Sequence, residues 1–293
     1  MRAVIERVRR VMSDAGISCD VLVVVDGATD ATAENATGVA DQVIVHPRNL
    51  GYGRSLKTGI LAAKTEMIAI TDADGTYPVE RLPEMIKRAE RFDMVVGART
   101  GRFYQGSFLK RIGRFVFRNL SEFAAGQSIP DINSGLRIFR RSQIIPFFPV
   151  ISAGFSFTTT STLAFLLNDL LIDYLPIDYH RRSGHSKVHH LRDSLRALQI
   201  IIEAILRCNP IKAFLLLVVP FVVLSLVCGA GALVFDCSAL AIAGAICLCS
   251  AGLLLGQGFL AVAVMPHRRI IDQAISSHVA PLPERSNESS RDG

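Results

Sequence analysis

Two long uncharged stretches near the C-terminus constrain this chain more than any other feature. No charged residue occurs from Ala213 to Phe235 or from Cys237 to Pro266, and only Asp236 separates the two stretches. They are roughly 23 and 30 residues long, and about 20 apolar residues cross a bilayer as a helix. Because the link is so short, we predict two transmembrane helices within residues 210–266 that form a hairpin. A buried core hairpin is the alternative, and the length and lack of charge argue against it.

The charges beside the hairpin predict its orientation. Basic residues flank it on both sides: Arg207, Lys212, His267, Arg268 and Arg269. Cytoplasmic flanks of membrane helices carry the excess of Lys and Arg. We therefore expect a multi-pass membrane protein whose N-terminal domain and both termini lie in the cytoplasm.

Composition narrows the classes of partner. The net charge of the whole chain is +6, and Arg and Lys are concentrated between Arg99 and Arg207. This suits anionic membrane lipids, phosphate-bearing substrates or nucleic acid. Aromatic residues do not interleave with the basic residues, which argues against nucleic acid. The six cysteines have no paired metal-ligand spacing and are typical of small apolar residues in a reduced compartment.

Apolar strands and amphipathic helices alternate over residues 1–190. Strands are predicted at 20–25, 42–46, 66–71, 92–97 and 172–180, with a loop and short strand at 131–140; helices are predicted at 2–15, 31–38, 52–64, 79–90, 99–125 and 161–168. The spacing predicts an α/β domain with a mostly parallel sheet and helices on both faces. An amphipathic interfacial helix is predicted over 191–209, and the polar tail 267–293 is expected to be disordered.

The turn Asp72-Ala73-Asp74 directly follows a predicted strand. In a parallel sheet that position is the ligand-binding edge. Two carboxylates at i and i+2 can hold one hard divalent cation, which in turn neutralises two phosphates. Acidic turns are common in proteins, so this turn indicates a metal site only in combination with the motifs around it.

Six segments, this turn included, form an ordered series of motifs: Val23–Thr32, Asn49–Gly53, Asp72–Glu80, Val95–Arg99, Asp131–Arg137 and Arg182–Lys187. With this series the chain resembles the glycosyltransferase family 2 enzymes of GT-A fold. Within them it is similar to the polyprenyl-phosphate glycosyltransferases, such as the dolichyl-phosphate mannosyltransferases and the bactoprenol glucosyltransferases. The resemblance covers about residues 15–190 and implies a Rossmann-like GT-A domain. The hairpin matches the bacterial and archaeal members.

The resemblance implies a donor side and a metal site. Asp26 is similar to the family's base- or ribose-binding Asp, and Asp72 and Asp74 to the carboxylates that hold the donor and a Mg²⁺ or Mn²⁺ ion. Asp74 would also be catalytic. Arg182 and Lys187 match a basic loop that closes over the donor diphosphate. The alternatives are that Asp26 caps the following helix, and that Arg182 and Lys187 are ordinary juxtamembrane charges.

The resemblance also implies an acceptor side. Arg99 and Arg111 are similar to cations that receive the acceptor phosphate, and Ser134 would contact the same phosphate. Asp131, Ser134 and Gly135 match the segment beside the anomeric carbon, where Asp131 would be catalytic. The alternative for Arg99 and Arg111 is that they face lipid headgroups.

These roles imply transfer of a hexose from a nucleotide-sugar to a polyprenyl phosphate, with inversion at the anomeric carbon. The departing nucleoside diphosphate needs a cation and Arg or Lys clamps. The attacking phosphate monoester has a second pKa of about 6. It is therefore already anionic near neutral pH and does not require a strong general base. The residues do not distinguish UDP-glucose from GDP-mannose, or undecaprenyl from dolichyl phosphate.

The chain departs from the family pattern at two internal positions. The family usually has two adjacent Asp residues where this chain has Val25 and Asp26, so one contact to the base is in question. Thr76 stands where the mannosyltransferases often place a Gln metal ligand. We expect water to complete the coordination sphere.

The start of the chain is a third departure. The family begins with an apolar strand and a Pro-x-Tyr-Asn-Glu segment in the middle of the sheet, whereas Met1 falls within the helix that should follow them. We therefore expect an N-terminally truncated GT-A domain in which two neighbouring strands have unpaired backbone groups, each costing about 1–3 kcal/mol. The sequence from Met1 is expected to be unstable or inactive, and a longer reading frame to be the working protein. Micromolar binding of nucleotide-sugar by the purified chain would contradict this expectation.

Two other functions stay open. A transferase of the same fold could use a growing glycan or another lipid as acceptor, although processive synthases usually carry a Gln-x-x-Arg-Trp motif and this chain has no Trp. A non-catalytic membrane scaffold is the second alternative. Glycines in the hairpin, which would permit close helix packing in a homo-oligomer, are Gly229, Gly231, Gly244, Gly252 and Gly256.

Overall fold

The structure is a computed structural model. It describes residues 1–28, 31–100, 108–180, 199, 202 and 210–264, with the backbone alone for 108–114, 116 and 264. The predicted interfacial helix and polar tail lie almost entirely outside the described residues.

Each strand that the sequence predicts is present. The strands are β1 Leu22–Asp26, β2 Gln42–His46, β3 Met67–Ile70, β4 Met94–Thr100, β5 Arg137–Arg140 and β6 Ile172–Asp178. The helices are α1 Arg2–Asp14, α2 Thr32–Ala36, α3 Tyr52–Ala62, α4 Leu82–Arg88, α5 Phe108–Ala125, α6 Arg141–Ile144, α7 Phe157–Leu166, α8 Pro210–Phe235 and α9 Ser238–Val264. Short 3₁₀ turns occupy Val79–Arg81 and Ile145–Phe147.

The strands form two sheets. β1 and β2 pair in parallel, and a four-stranded sheet has the order β3-β5-β4-β6. β5 is antiparallel to both β3 and β4, whereas β4 and β6 are parallel. Within the larger sheet β3, β4 and β6 therefore share one direction, and β5 alone opposes them.

The core lies on both faces of the four-stranded sheet. In β4, Met94 and Val96 pack on the face covered by α3 and α7, and Val95 packs on the opposite face with α1 and α4. Because successive strand residues point to opposite faces, a strand buried on both sides is apolar at consecutive positions. This explains the continuous apolar run in β4.

No strand joins the two sheets among the described residues, and two helices connect them instead. In α1, Ile5 packs with Val23 of β1, and Met12 packs with the core of the larger sheet. In α3, Gly59 lies against Val24 of β1, where an added Cβ would be 3.3 Å from Val24 Cγ2. Among the described residues β1 pairs with β2 and β3 pairs with β5, and the predicted truncation and instability stay predictions.

Helix α7 begins earlier than the predicted 161–168. All ten of its residues are buried. Two of its hydroxyls donate to the backbone of the preceding turn, Thr160 Oγ1 to Ser156 O at 2.8 Å and Thr162 Oγ1 to Thr158 O at 2.9 Å, whereas Thr159 Oγ1 donates to Asn133 Oδ1 at 2.8 Å. Ser and Thr compete for backbone partners and are weak helix formers, so the sequence pattern concealed this first turn.

The C-terminal hairpin is present as two long apolar helices. α8 and α9 are long and apolar enough to cross a membrane, and only 6% and 11% of their most apolar segments is buried within the protein. Ser225 Oγ donates to Gly244 O between them at 2.8 Å. A core helix of a soluble protein would be mostly buried, so the structure supports membrane association over a core hairpin.

Candidate active site

Three of the predicted segments meet at one edge of the four-stranded sheet. Asp72 and Asp74 follow β3, Arg99 lies near the end of β4, and the segment 131–135 leads into β5. Because β5 runs antiparallel between β3 and β4, its start lies beside their carboxyl ends. This edge is the ligand-binding edge of α/β sheets.

Tyr52 and Gly135 lie close to the Asp72 carboxylate. Tyr52 donates its hydroxyl hydrogen bond to Asp72 Oδ1 at 3.2 Å. A Cβ added at Gly135 would lie 3.1 Å from each Asp72 carboxylate oxygen and 3.2 Å from the Tyr52 hydroxyl. Burial, together with the Asp72 charge, raises the pKa of Tyr52 well above its usual value. Tyr52 therefore stays protonated and acts as a donor.

Asp74 is oriented by the residue two positions later. Both the backbone N–H and the hydroxyl of Thr76 donate to Asp74 Oδ1, at 3.1 and 2.6 Å. Gly75 between them has φ +76°, a left-handed conformation that glycine adopts at no steric cost. Thr76 is buried and orients the Asp74 carboxylate through these two hydrogen bonds.

Asp72 and Asp74 are the carboxylates that could hold a divalent cation shared with a diphosphate. No group of three or more His, Cys, Asp or Glu side chains suited to a metal occurs in the described part of the chain. Mg²⁺ is commonly bound by one or two carboxylates together with substrate phosphates and water. Asp72 and Asp74 meet that requirement, and the close approach of Gly135 keeps the space beside Asp72 free of a side chain.

Asp131, which is buried, and Arg99, which is half-buried, form an ion pair. Arg99 donates from Nε and one terminal nitrogen to the two carboxylate oxygens at 2.7 and 2.9 Å, and its backbone N–H donates at 3.1 Å. The Asn133 N–H adds a bond of 3.1 Å. The two side chains are 16% and 1% exposed. This geometry gives Asp131 a role in holding Arg99, whose guanidinium also lies 5.4 Å from the ring centroid of Tyr179.

Ser134 and Gly135 are fixed by hydrogen bonds to neighbouring elements. Ser134 Oγ donates to Gly97 O at 2.6 Å, so its proton is already engaged. The Gly135 N–H donates to the Tyr77 hydroxyl at 2.7 Å. Burial raises the pKa of Tyr77 to about 12, so the phenol is neutral at physiological pH.

Arg137 lies under this segment and is fully buried. It donates from Nε to Ser134 O and from a terminal nitrogen to Ile132 O, both at 2.7 Å. The other terminal nitrogen donates to the hydroxyls of Ser161 and Thr162 in α7. No carboxylate among the described residues pairs with it, and burial lowers the pKa of the guanidinium. Arg137 therefore ties the segment to α7.

Asp26 is at the end of β1 and holds the loop before α3. Its carboxylate accepts from the Leu50 and Gly51 N–H groups, each at 2.8 Å, and His46 Nδ1 lies 2.9 Å away. Burial alone would raise the pKa of Asp26, but these hydrogen bonds outweigh it and lower the pKa. Both oxygens are engaged, although a carboxylate can accept further bonds. The predicted contact to a base or ribose stays a prediction.

The other predicted residues are less informative. Arg111 belongs to α5, for which the structure gives only the backbone there, and Arg182 and Lys187 lie outside the described residues. The sequence reasoning missed Tyr52, Thr76 and Arg137 as supports of the site. Each stands within or directly beside one of the six motifs, which is the signal that could have identified them.

Comparison with known proteins identifies the family. The family model described as Glycosyl transferase family 2 matches residues 1–147, half of the chain. The low-salt glycan biosynthesis hexosyltransferase Agl6 of Haloferax volcanii is 28% identical over 68% of this chain and 49% of its own length. The dolichyl-phosphate hexose transferase of the same organism is 30% identical over 57% of this chain and 73% of its own length.

The name of a third relative specifies a different sugar. The dodecaprenyl-phosphate galacturonate synthase of Rhizobium johnstonii is 31% identical over 48% of this chain and 44% of its own length. The chain thus spans about half the length of this relative and of Agl6.

Solved structures show the same fold. The glucosyl-3-phosphoglycerate synthase of Mycobacterium tuberculosis with Mn²⁺, uridine diphosphate and phosphoglyceric acid has a TM-score of 0.56 and 16% identity, over 69% of this chain and 73% of that one. Its complex with Mn²⁺, uridine diphosphate and glucosyl-3-phosphoglycerate has a TM-score of 0.54 and 16% identity, over 71% and 74%. At this identity the likeness shows the GT-A fold alone.

Proposed function

Because the chain belongs to glycosyl transferase family 2, we propose that it transfers one hexose from UDP-glucose or GDP-mannose to a polyprenyl phosphate at a membrane. One observation carries the proposal. Asp72 and Asp74 sit on a single turn beside Gly135 and Tyr52, in a chain that also has an apolar hairpin. Two relatives support the acceptor class, since their names specify dolichyl and dodecaprenyl phosphate.

The donor would bind across the metal site. Asp72 and Asp74 would hold Mg²⁺ or Mn²⁺ together with the donor diphosphate, and the bound ion supplies charge neutralisation for the leaving group. Tyr52 and Thr76 fix the two carboxylates, which avoids reorganisation when the donor binds.

The basic loop and β1 would complete the donor site. Arg182 and Lys187 would clamp the diphosphate, and Asp26 would contact the base or ribose. The loop that Asp26 holds leads directly to Tyr52, so the two halves of the donor site are adjacent along the chain.

The acceptor would enter beside β4 and the segment before β5. Arg99 and Arg111 would bind its phosphate beside Ser134, whose hydroxyl proton is donated to Gly97 O and is not available to it, and Asp131 would keep the Arg99 guanidinium in place. A phosphate oxygen would attack the anomeric carbon from the side opposite the diphosphate. The new bond joins that carbon to the phosphate oxygen, the bond to the diphosphate oxygen breaks, and the configuration inverts. The nucleophile is already anionic, so no proton needs to be removed.

Membrane topology follows from the flanking charges. Basic residues at both ends of the hairpin favour a cytoplasmic domain and cytoplasmic termini. Nucleotide-sugars would then reach the site from the cytoplasm, and the lipid phosphate from the facing leaflet.

A transfer assay tests the function. Membranes with and without the protein, expressed from its genomic locus, are incubated with labelled UDP-glucose or GDP-mannose, and lipid-linked products are extracted. We expect a polyprenyl-phosphate-linked sugar from one donor and its loss on chelation of divalent ions. Asp74→Asn keeps the oxygen that accepts from Thr76 and removes the charge, so transfer should fall by about 10²–10³-fold.

Asp14→Asn is the matched control, because Asp14 is an exposed carboxylate at the end of α1. It should transfer at the unmodified rate. If transfer were equal with and without the protein, the chain would be a scaffold and the proposal wrong. If Asp74→Asn left the protein-dependent transfer unchanged, the proposed metal site would be wrong. If the label appeared in another lipid or in a glycan, the proposed polyprenyl phosphate acceptor would be wrong.

A further inference from the structure

The guanidinium of Arg99 contacts an aromatic ring as well as a carboxylate. Asp131 accepts two hydrogen bonds from it, at 2.7 and 2.9 Å. The guanidinium carbon lies over the ring of Tyr179, 5.4 Å from the ring centroid. A cation within about 6 Å of a ring centroid is attracted by the ring, and arginine also stacks on aromatic faces through its planar group. Tyr179 therefore restrains the orientation of Arg99.

Tyr179 is itself fixed by neighbouring elements. Its N–H donates to Thr100 O at 3.4 Å, and the N–H of the following His180 donates to Thr76 O at 2.9 Å. Its ring meets the ring of Tyr77 edge to face, with centroids 5.3 Å apart and planes at 72°, a preferred arrangement of aromatic pairs. Tyr77 is only 2% exposed, so Tyr179 rests on a buried support.

The support of Tyr179 begins at the turn that carries the two aspartates. Tyr77 directly follows Thr76, which donates two hydrogen bonds to Asp74. The Tyr77 hydroxyl also accepts from the Gly135 N–H at 2.7 Å. Two stacked rings thus connect the turn of the proposed metal site with Arg99 on the proposed acceptor side.

We propose that Tyr179 is a positioning residue that orients Arg99 toward the phosphate of the acceptor. This inference rests on the proposed function, in which Arg99 binds that phosphate. A guanidinium pairs well with phosphate oxygens only when its planar fork faces them. Without the Tyr179 ring, Arg99 would keep its charge and its bonds to Asp131 but lose this restraint on its orientation.

The alternative is that Tyr179 only fills space in the core. Its side chain packs against the apolar cluster that contains Leu175 and Ile177. Phe92 packs against the same cluster, but it precedes β4 and so lies at the end of that strand away from Arg99. Phe92 is therefore the matched control for a loss of aromatic packing.

Kinetics of ring-deleted variants test the proposal. Tyr179→Leu and Phe92→Leu each replace a ring by a smaller apolar side chain. The full chain, held in nanodiscs, is assayed with UDP-glucose or GDP-mannose and with undecaprenyl or dolichyl phosphate, whichever pair the unmodified protein uses. Tyr179→Leu should raise the KM for the lipid phosphate about fivefold. The kcat and the donor KM should stay unchanged, because a contact present in both ground and transition states is lost.

The controls separate the ring from its hydroxyl and from packing. Tyr179→Phe keeps the ring and should restore the acceptor KM, and Phe92→Leu should not raise it. In an Arg99→Gln background the cation is absent, so adding Tyr179→Leu should lower kcat/KM for the lipid phosphate no further. Substitutions of residues that act through one contact are not additive.

Three results would overturn the positioning role. They are an unchanged acceptor KM in Tyr179→Leu, an equal rise in the donor KM, and a fivefold effect that persists in the Arg99→Gln background. Thermal unfolding verifies each variant, and Tyr179→Met supplies a second side chain without a ring if Tyr179→Leu does not fold. Absence of transfer by the unmodified protein would refute the proposed function, and the positioning role with it.

Discussion

The two sheets hold their polar side chains in different ways. At the edge of the four-stranded sheet the charged groups are buried and bonded across elements, as in Arg99 with Asp131 and Arg137 with α7. At the end of the two-stranded sheet, Asp26 is bonded only to its own neighbouring strand and loop in the contacts described. The difference indicates that bonds between elements hold the edge of the four-stranded sheet, whereas the position of the two-stranded sheet depends on the packing of α1 and α3.

The largest effect is expected when the four-stranded sheet loses the buried carboxylate of Asp131. Asp131→Ala removes the buried carboxylate that accepts three hydrogen bonds from Arg99, which should lower the free energy of unfolding of the N-terminal domain by about 2–3 kcal/mol. Pulse proteolysis in urea, on protein held in nanodiscs, measures it. A second variant, Asp131→Leu combined with Arg99→Met, should recover much of the loss. A cost below about 1 kcal/mol for Asp131→Ala would show that this edge is not held by the pair.

Amide exchange compares the two sheets directly. Among the described residues, β4 pairs with a strand on each side, whereas β1 pairs with β2 alone. Local opening free energies vary across a structure, so the amides of Val95 and Val96 should exchange at least about tenfold more slowly than that of Val24. Mass spectrometry of deuterated peptides resolves them. Equal protection would mean that the sheets open as one unit.

A smaller effect is expected at Tyr52, which lies between the two regions. Tyr52→Phe removes one hydrogen bond to the Asp72 carboxylate, worth about 1.5 kcal/mol, and should lower the rate of sugar transfer by about tenfold. The Mg²⁺ concentration for half-maximal transfer should rise. Tyr179→Phe is the control, because its ring contacts with Tyr77 and Arg99 are kept. Equal rates in both variants would remove Tyr52 from the site.

The smallest effect concerns the pH dependence of the two-stranded sheet. The folded pKa of Asp26 lies below its ordinary value of 3.8. The stabilisation is therefore complete above the unfolded pKa and is lost as the pH falls through the folded pKa. The local stability of the β1–β2 region should decline below about pH 4, and Asp26→Asn should flatten this decline. Deuterium exchange of residues 42–51, measured as a function of pH, tests this prediction. If Asp26→Asn left the pH dependence of exchange unchanged, the stabilising role assigned to Asp26 would be wrong.

Much of the site could be predicted because strand ends are visible in sequence. The apolar runs before Asp72 and Arg99 predict buried strands, and the parallel direction of β3 and β4 brings their ends together. The family model and the relatives confirm the family assigned from the six motifs. The GT-A neighbours confirm the fold.

The pairing of side chains could not be predicted. Arg99 and Asp131 are 32 residues apart, and their contact depends on the register of β5, which a four-residue strand does not reveal. Arg137 resembles an ordinary strand-end arginine until the buried hydroxyls of α7 are seen beneath it. The sequence pattern does not predict the first turn of α7, because its Ser and Thr residues are weak helix formers.

Gly51 and Tyr52 are consecutive residues, yet the first is bonded to Asp26 and the second to Asp72. One peptide group therefore connects the hydrogen bonds made by the two carboxylates. Under the proposed function, a movement of Asp26 on binding of the nucleoside would displace Tyr52 and its hydrogen bond to Asp72, so binding at one proposed position would alter the other through a single peptide group.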